Sequence, residues 1–186
     1  MNGFPLWPST AGTVNSTKEA FVQNQFTAEL MPLFIQHARL TDAAAALQDK
    51  VIALYLSAAV AAAENATLRD VRLRQREWVV LGAPRFEFRR GAWKDVVANP
   101  TGVVVGDTGP KSWGFSIDAP ATDFGVTATT GYATLDEVPT DMVSFILSAA
   151  AWQYEMRELA TYSSMIQHAD VIPLYLLDPW TIPTYA

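Results

Sequence analysis

Between Thr41 and Ala66 the chain places eleven alanines in twenty-six residues. No other feature narrows its folding options as much. Alanine is the best helix former, and neither glycine nor proline interrupts the run. Thr41-Asp42 offers a capping oxygen and an early acid. The spacing predicts a helix over about 41–66, with Leu47, Val51, Leu54, Tyr55 and Ala58 recurring at helical intervals. Its side chains are short, so a neighbouring helix can approach closely.

Two further helices flank this one in the sequence. A first is expected over about 17–39, kinked near Pro32, after an extended arm at 1–16 that carries Pro5, Pro8 and Gly12. Val138-Pro139 opens another over about 138–160, where Met142, Phe145, Ile146, Ala149, Trp152, Met156 and Leu159 keep helical spacing. Between them, 71–132 changes character. Glu77–Leu81, Phe86–Arg89, Gly102–Val105, Trp113–Ile117 and Gly125–Ala128 read as short strands divided by Gly/Pro/Asp turn clusters. The tail, 161–186, is apolar and proline-rich around Ile172-Pro173-Leu174-Tyr175-Leu176-Leu177 and Trp180. The expected fold class is α+β, mainly α. It is a helical bundle with an inserted small antiparallel β region and an extended C-terminal tail, 17–160 forming one domain.

Composition narrows the function classes. With 186 residues, half of them apolar and 17% charged, the chain can bury a sizeable core and is not intrinsically disordered. Without cysteine it holds no disulfide framework and no thiolate-ligated metal. A mean hydropathy of +0.11 is high, yet no run reaches the roughly 18 uninterrupted apolar residues of a membrane span. Residues 1–10 lack the basic and apolar regions of a signal peptide, so use without secretion and without a membrane is expected. Charge is divided unevenly. Residues 69–94 hold eight basic side chains against three acids, a net +5, whereas 95–186 hold two against eleven, a net −9. Opposite-sign surfaces of this kind suit subunit stacking or the handling of nucleic acid, and exposed strand faces produce the same alternation.

Catalytic signals are sparse. Val103–Gly109 runs an apolar strand into Asp107-Thr108-Gly109, the way a dimeric aspartic-type protease presents one catalytic carboxylate; a hairpin turn explains the same residues. His37 and His168 are too few for a histidine-rich metal site, and Asp136, Glu137 and Asp141 suit the start of a helix. No phosphate-binding, dinucleotide or nucleophile-elbow motif occurs, so no catalytic residue, metal or cofactor is expected. Trp78, Phe86, Phe88 and Trp93 lie among arginines, which would suit base stacking or, equally, a sheet with one buried face.

The order of these elements carries a resemblance. The alanine-rich helix ends in Glu64, Thr67 and Arg69; a later strand ends Thr129-Thr130-Gly131-Tyr132; Pro139 then opens a helix closing on Tyr154, Arg157 and Glu158. In this arrangement over about 27–180 the chain resembles the head–tail connector, or head-completion adaptor, family of tailed bacteriophages and gene-transfer particles. The resemblance implies a non-enzymatic virion protein at the neck, made in the host cytoplasm. Copies would form a ring, usually a dodecamer, under the portal protein, extend the channel for double-stranded DNA, and receive a tail or neck protein below. It also implies that the C-terminal tail docks in the portal. A tail terminator is the alternative within the same class of particle.

Overall fold

A computed structural model of the chain describes residues 13–21, 25–82, 85–88, 91, 93–99, 103–105, 114–119, 123–159 and 173–182. The fold is α+β, with more residues in helices than in strands. Asp107, His168 and Ile172 lie outside the described residues, as do 1–12 of the expected arm.

The chain divides into two compact units. One gathers 1–22 with 74–130; the other gathers 23–73 with 131–186. The division follows from the β insert having an apolar core of its own.

Among the described residues the β unit contains seven strands: β1 (Thr13–Phe21), β2 (Arg74–Leu81), β3 (Arg85–Phe88), β4 (Trp93–Asn99), β5 (Val103–Val105), β6 (Phe115–Asp118) and β7 (Phe124–Thr130). They form an antiparallel sheet of order β1-β2-β7-β4 and a second of order β3-β6-β5. Along β7, Phe124, Val126, Ala128 and Thr130 point inward and their neighbours do not, as the two-residue period requires. Trp78, Phe86, Phe88, Trp93 and Phe115 meet with ring centroids 4.9 to 6.3 Å apart. Trp93 Nε1 donates to the Gly114 carbonyl at 2.8 Å, so its polar end is satisfied inside. These aromatics are therefore core and offer no platform for bases.

Two strands differ from expectation. Thr13–Phe21 is β1, not the start of a helix. Its Lys18-Glu19-Ala20 favours a helix locally, but pairing with β2, from Thr13 opposite Leu81 to Phe21 opposite Arg74, supplies the stronger long-range demand. The first helix thus begins at Gln25. β4 escapes the alternation rule because its register slips between Lys94 and Val97, with Asp95 at φ +53°.

The helical unit holds α1 (Gln25–His37), α2 (Asp42–Thr67) and α3 (Thr140–Leu159). Thr41 Oγ1 accepts from the Ala44 N–H at 3.3 Å and caps α2. The three helices pack together around Leu30, Phe34, Ile52, Leu56, Met142 and Ile146, all fully buried. Edge-on packing of Tyr154 against Phe34, at 5.9 Å and 71°, ties α3 to α1. On α2 the buried face is Ala45, Ile52, Leu56, Ala59, Val60 and Ala63. The stripe through Leu47, Leu54 and Ala58 is exposed instead, and Val51 and Tyr55 are half-buried. A helix apolar nearly all round gives periodicity no means of choosing the inner face. By length and composition α2 is long and apolar enough to cross a bilayer, but its inner face belongs to this core.

Candidate assembly site

The C-terminal end of α2 gathers most of the motif residues in one buried knot. Leu68, at φ +55°, ends the helix in a left-handed turn, so the chain reverses directly over the last helical turn. Thr67 Oγ1 donates back to the Ala63 carbonyl at 2.7 Å. Glu64 is almost wholly buried, and its carboxylate faces the reversing chain. Oε1 accepts from the backbone N–H of Val71 at 3.1 Å and of Arg72 at 3.0 Å. Oε2 takes Arg72 Nη2 at 2.7 Å, closing an ion pair with a partner that is partly exposed. A buried carboxylate is tolerable only when its oxygens are satisfied in this way.

Gly131 and Tyr132 enter from the end of the β insert. Tyr132 N–H donates to the Val71 carbonyl at 3.2 Å, and the two segments form a short parallel bridge at Arg72 and Tyr132. Gly131 has φ +90°, and a Cβ there would lie 2.2 Å from the Arg72 carbonyl oxygen. Only glycine fits this crossing.

The C-terminal segment closes over the knot. Residues 173–182 form two short 3-10 turns, Leu174–Leu176 and Asp178–Trp180, rather than an extended strand. Proline spacing looked extended in the sequence, but two buried side chains, Leu177 and Ile182, pin the segment back. Arg69 Nε donates to the Trp180 carbonyl at 2.5 Å, and the Ile182 N–H donates to the Thr67 carbonyl at 3.1 Å. Trp180 Nε1 reaches Asp141 Oδ2, on the first turn of α3, at 3.4 Å. Burial pushes the Arg69 guanidinium below its usual pKa, with nearby Tyr132 acting the other way. Burial likewise pushes the Tyr132 phenol up, partly offset by the charge on Arg69.

Glu64, Thr67, Arg69, Gly131, Tyr132 and Trp180 thus come together, although they are spread over more than a hundred residues of chain, and Leu177 is buried within the same C-terminal segment. Pro139 precedes α3, its carbonyl accepting from the Val143 N–H at 3.1 Å, next to Asp141. Tyr154 lies apart, against α1. Arg157 and Glu158 belong to α3, their side chains outside the described residues. Pro173 and Leu176 are half-buried, while Leu174 and Tyr175 stand out at 57% and 70% exposed. Sequence reasoning missed Arg72, Asp141 and Ile182. Asp141 read as an acid suited to a helix start, a role that hid its partner, and nothing in the spacing singled out Arg72 or Ile182.

No protein-family model and no curated protein matches the sequence. Solved structures do. A chain in the neck of an empty gene transfer agent particle, computed with C6 symmetry, aligns with a TM-score of 0.64 at 18% identity; the match covers 91% of this chain and 98% of that one. The chain shares its fold with a gene transfer agent neck. A second neck, of the native particle computed with C12 symmetry, gives a TM-score of 0.61 at 17% identity over the same shares. A chain of the native gene transfer agent virion gives 0.54 at 17%. The fold expected from the order of elements is the one these particles contain.

Proposed function

We propose that this chain is a structural neck protein of a phage-like particle, with no enzymatic role. Its copies form a ring, twelve in the simplest reading, beneath the portal protein. The ring joins head to tail, continues the channel through which double-stranded DNA passes without sequence readout, and seats the next tail or neck protein. The observation that carries this reading is the fold match, which spans 91% of this chain and 98% of a neck chain solved with ring symmetry. A net charge of −6 supports it, because phosphates slide past a negative wall and adhere to a basic one.

The C-terminal segment is the portal-facing element. Leu177, Trp180 and Ile182 anchor it to the knot, and Leu174 and Tyr175 form an apolar tip directed outward. An exposed leucine–tyrosine pair on a rigid turn loses little entropy on binding and gains buried area. Ile172 extends the same apolar run in sequence. Assembly in the host cytoplasm and a place at the virion neck complete this reading.

The test replaces the tip and keeps its anchors. Leu174→Ser/Tyr175→Ser should leave secondary structure and melting temperature unchanged while abolishing joining to portal-bearing heads. Normal joining by this variant would remove the portal-facing role. Attachment only to tail ends would instead make the chain a tail terminator.

A further inference from the structure

α2 carries two apolar faces on opposite sides, and among the described residues only one of them is covered. Ile52, Leu56, Ala59 and Ala63 pack inward against α1 and α3. At about 100° per residue, Leu47, Leu54 and Ala58 fall within roughly 20° of one line on the other side. Leu47 is 87% exposed and Leu54 65%, and Ala62 continues the exposed strip. Lys50 is the one charged side chain along this line between Leu47 and Ala62. A helix apolar all round is ordinarily buried all round. Two exposed leucines aligned with alanines are a surface awaiting a partner, unlike the scattered apolar residues of any protein exterior.

Resting on the neck reading above, we infer that this outer face of α2 is the lateral contact of the ring, covered by the next copy of the same chain. A closed ring of identical subunits joins two different patches of one chain, so every copy needs a permanently covered side surface. The structural neighbours come from necks solved with C6 and C12 symmetry, where each subunit has a neighbour on either side. Alanines at 58 and 62 leave room for a partner backbone to approach closely, and the leucines supply the apolar area. The chemistry disfavours the other occupants. DNA would find one cation, Lys50, on a strip that is otherwise apolar, too little to hold a phosphate backbone. Spanning a bilayer would require α2 to give up its packed inner face, and no basic cluster on α2 draws the outer face to the surface of anionic lipid.

Full-length protein carrying Leu47→Lys/Leu54→Lys, and separately Ala58→Arg, is compared with wild type by sedimentation velocity over a concentration series. Electron microscopy of the assembled species and circular dichroism melts accompany it. Wild type should assemble into closed rings. Both variants should melt as wild type does, since the altered residues are exposed, yet associate at least about tenfold more weakly. Ala58→Arg keeps the test valid if the double lysine variant fails to fold. Variants that form rings as wild type does overturn the inference and leave the neck reading standing, as does a wild type that stays monomeric at every concentration. Wild type that associates through this face into dimers or open chains contradicts the neck reading but upholds the contact. Co-sedimentation of wild type, and not the variants, with phosphatidylcholine/phosphatidylglycerol vesicles would make the face a membrane contact instead.

Discussion

The β unit and the helical unit of this chain solve the burial problem in opposite ways. In the β unit, aromatic side chains from both sheets turn inward and meet one another. Among the described residues its exposed large apolar side chains are isolated, Leu81 at the end of β2 and Val97 on the edge strand β4. In the helical unit a core of similar quality coexists with two exposed apolar clusters, on α2 and at the C-terminal turn, and with a buried knot of charged and polar groups. The described residues of the helical unit leave apolar surface uncovered, and the proposed assembly contacts fall there.

Substitutions at four positions sharpen or break that contrast. The largest effect is expected in the β unit. Trp78→Ala empties the centre of the aromatic cluster and should cost about 4 kcal/mol in a denaturant titration. A cost below about 1 kcal/mol would mean the sheets are not held by their own core. Next comes Glu64→Ala, which leaves the Val71 and Arg72 N–H groups and the Arg72 guanidinium without their carboxylate. About 3 kcal/mol should be lost, and Glu64→Gln should recover part of it by keeping an acceptor. Leu177→Ala should cost about 2 kcal/mol and, more tellingly, should expose the C-terminal segment to limited proteolysis while α2 and α3 stay protected. Equal protection in the variant would show that Arg69 and Ile182 hold the segment without it.

The smallest effect concerns pH. The Tyr132 phenol has a folded-state pKa raised above its ordinary 10.0, so the folded state holds the proton more tightly than the unfolded state. Its contribution is fully present below pH 10 and is lost as pH rises through the folded-state value. Tyr132→Phe should therefore flatten the alkaline fall in stability relative to wild type. An unchanged slope would place the phenol in contact with water.

Much of this architecture was legible in the residues. Alanine content and Thr41 announced α2, Val138-Pro139 announced α3, and two-residue alternation marked β7. Each depends on local chemistry alone. β1 was hidden because its pairing partner lies about sixty residues away, and β4 because a bulge at Asp95 interrupts its alternation. The facing of α2 was hidden for a different reason: with apolar residues on both sides, periodicity fixes the helix but not its inner face. The knot was half visible. Glu64, Arg69 and Gly131-Tyr132 stood out by their order, whereas the return of Trp180 and Ile182 to meet them is a tertiary fact. No spacing rule connects residue 69 with residue 180.

A cryo-electron microscopy map of the particle's head–tail junction tests the central claim most directly. The account predicts a closed ring of this chain directly below the portal, with Leu174 and Tyr175 directed toward the portal and the outer face of α2 covered by the adjacent copy. A junction lacking this chain, or holding it with Leu47 and Leu54 open to solvent, would contradict it.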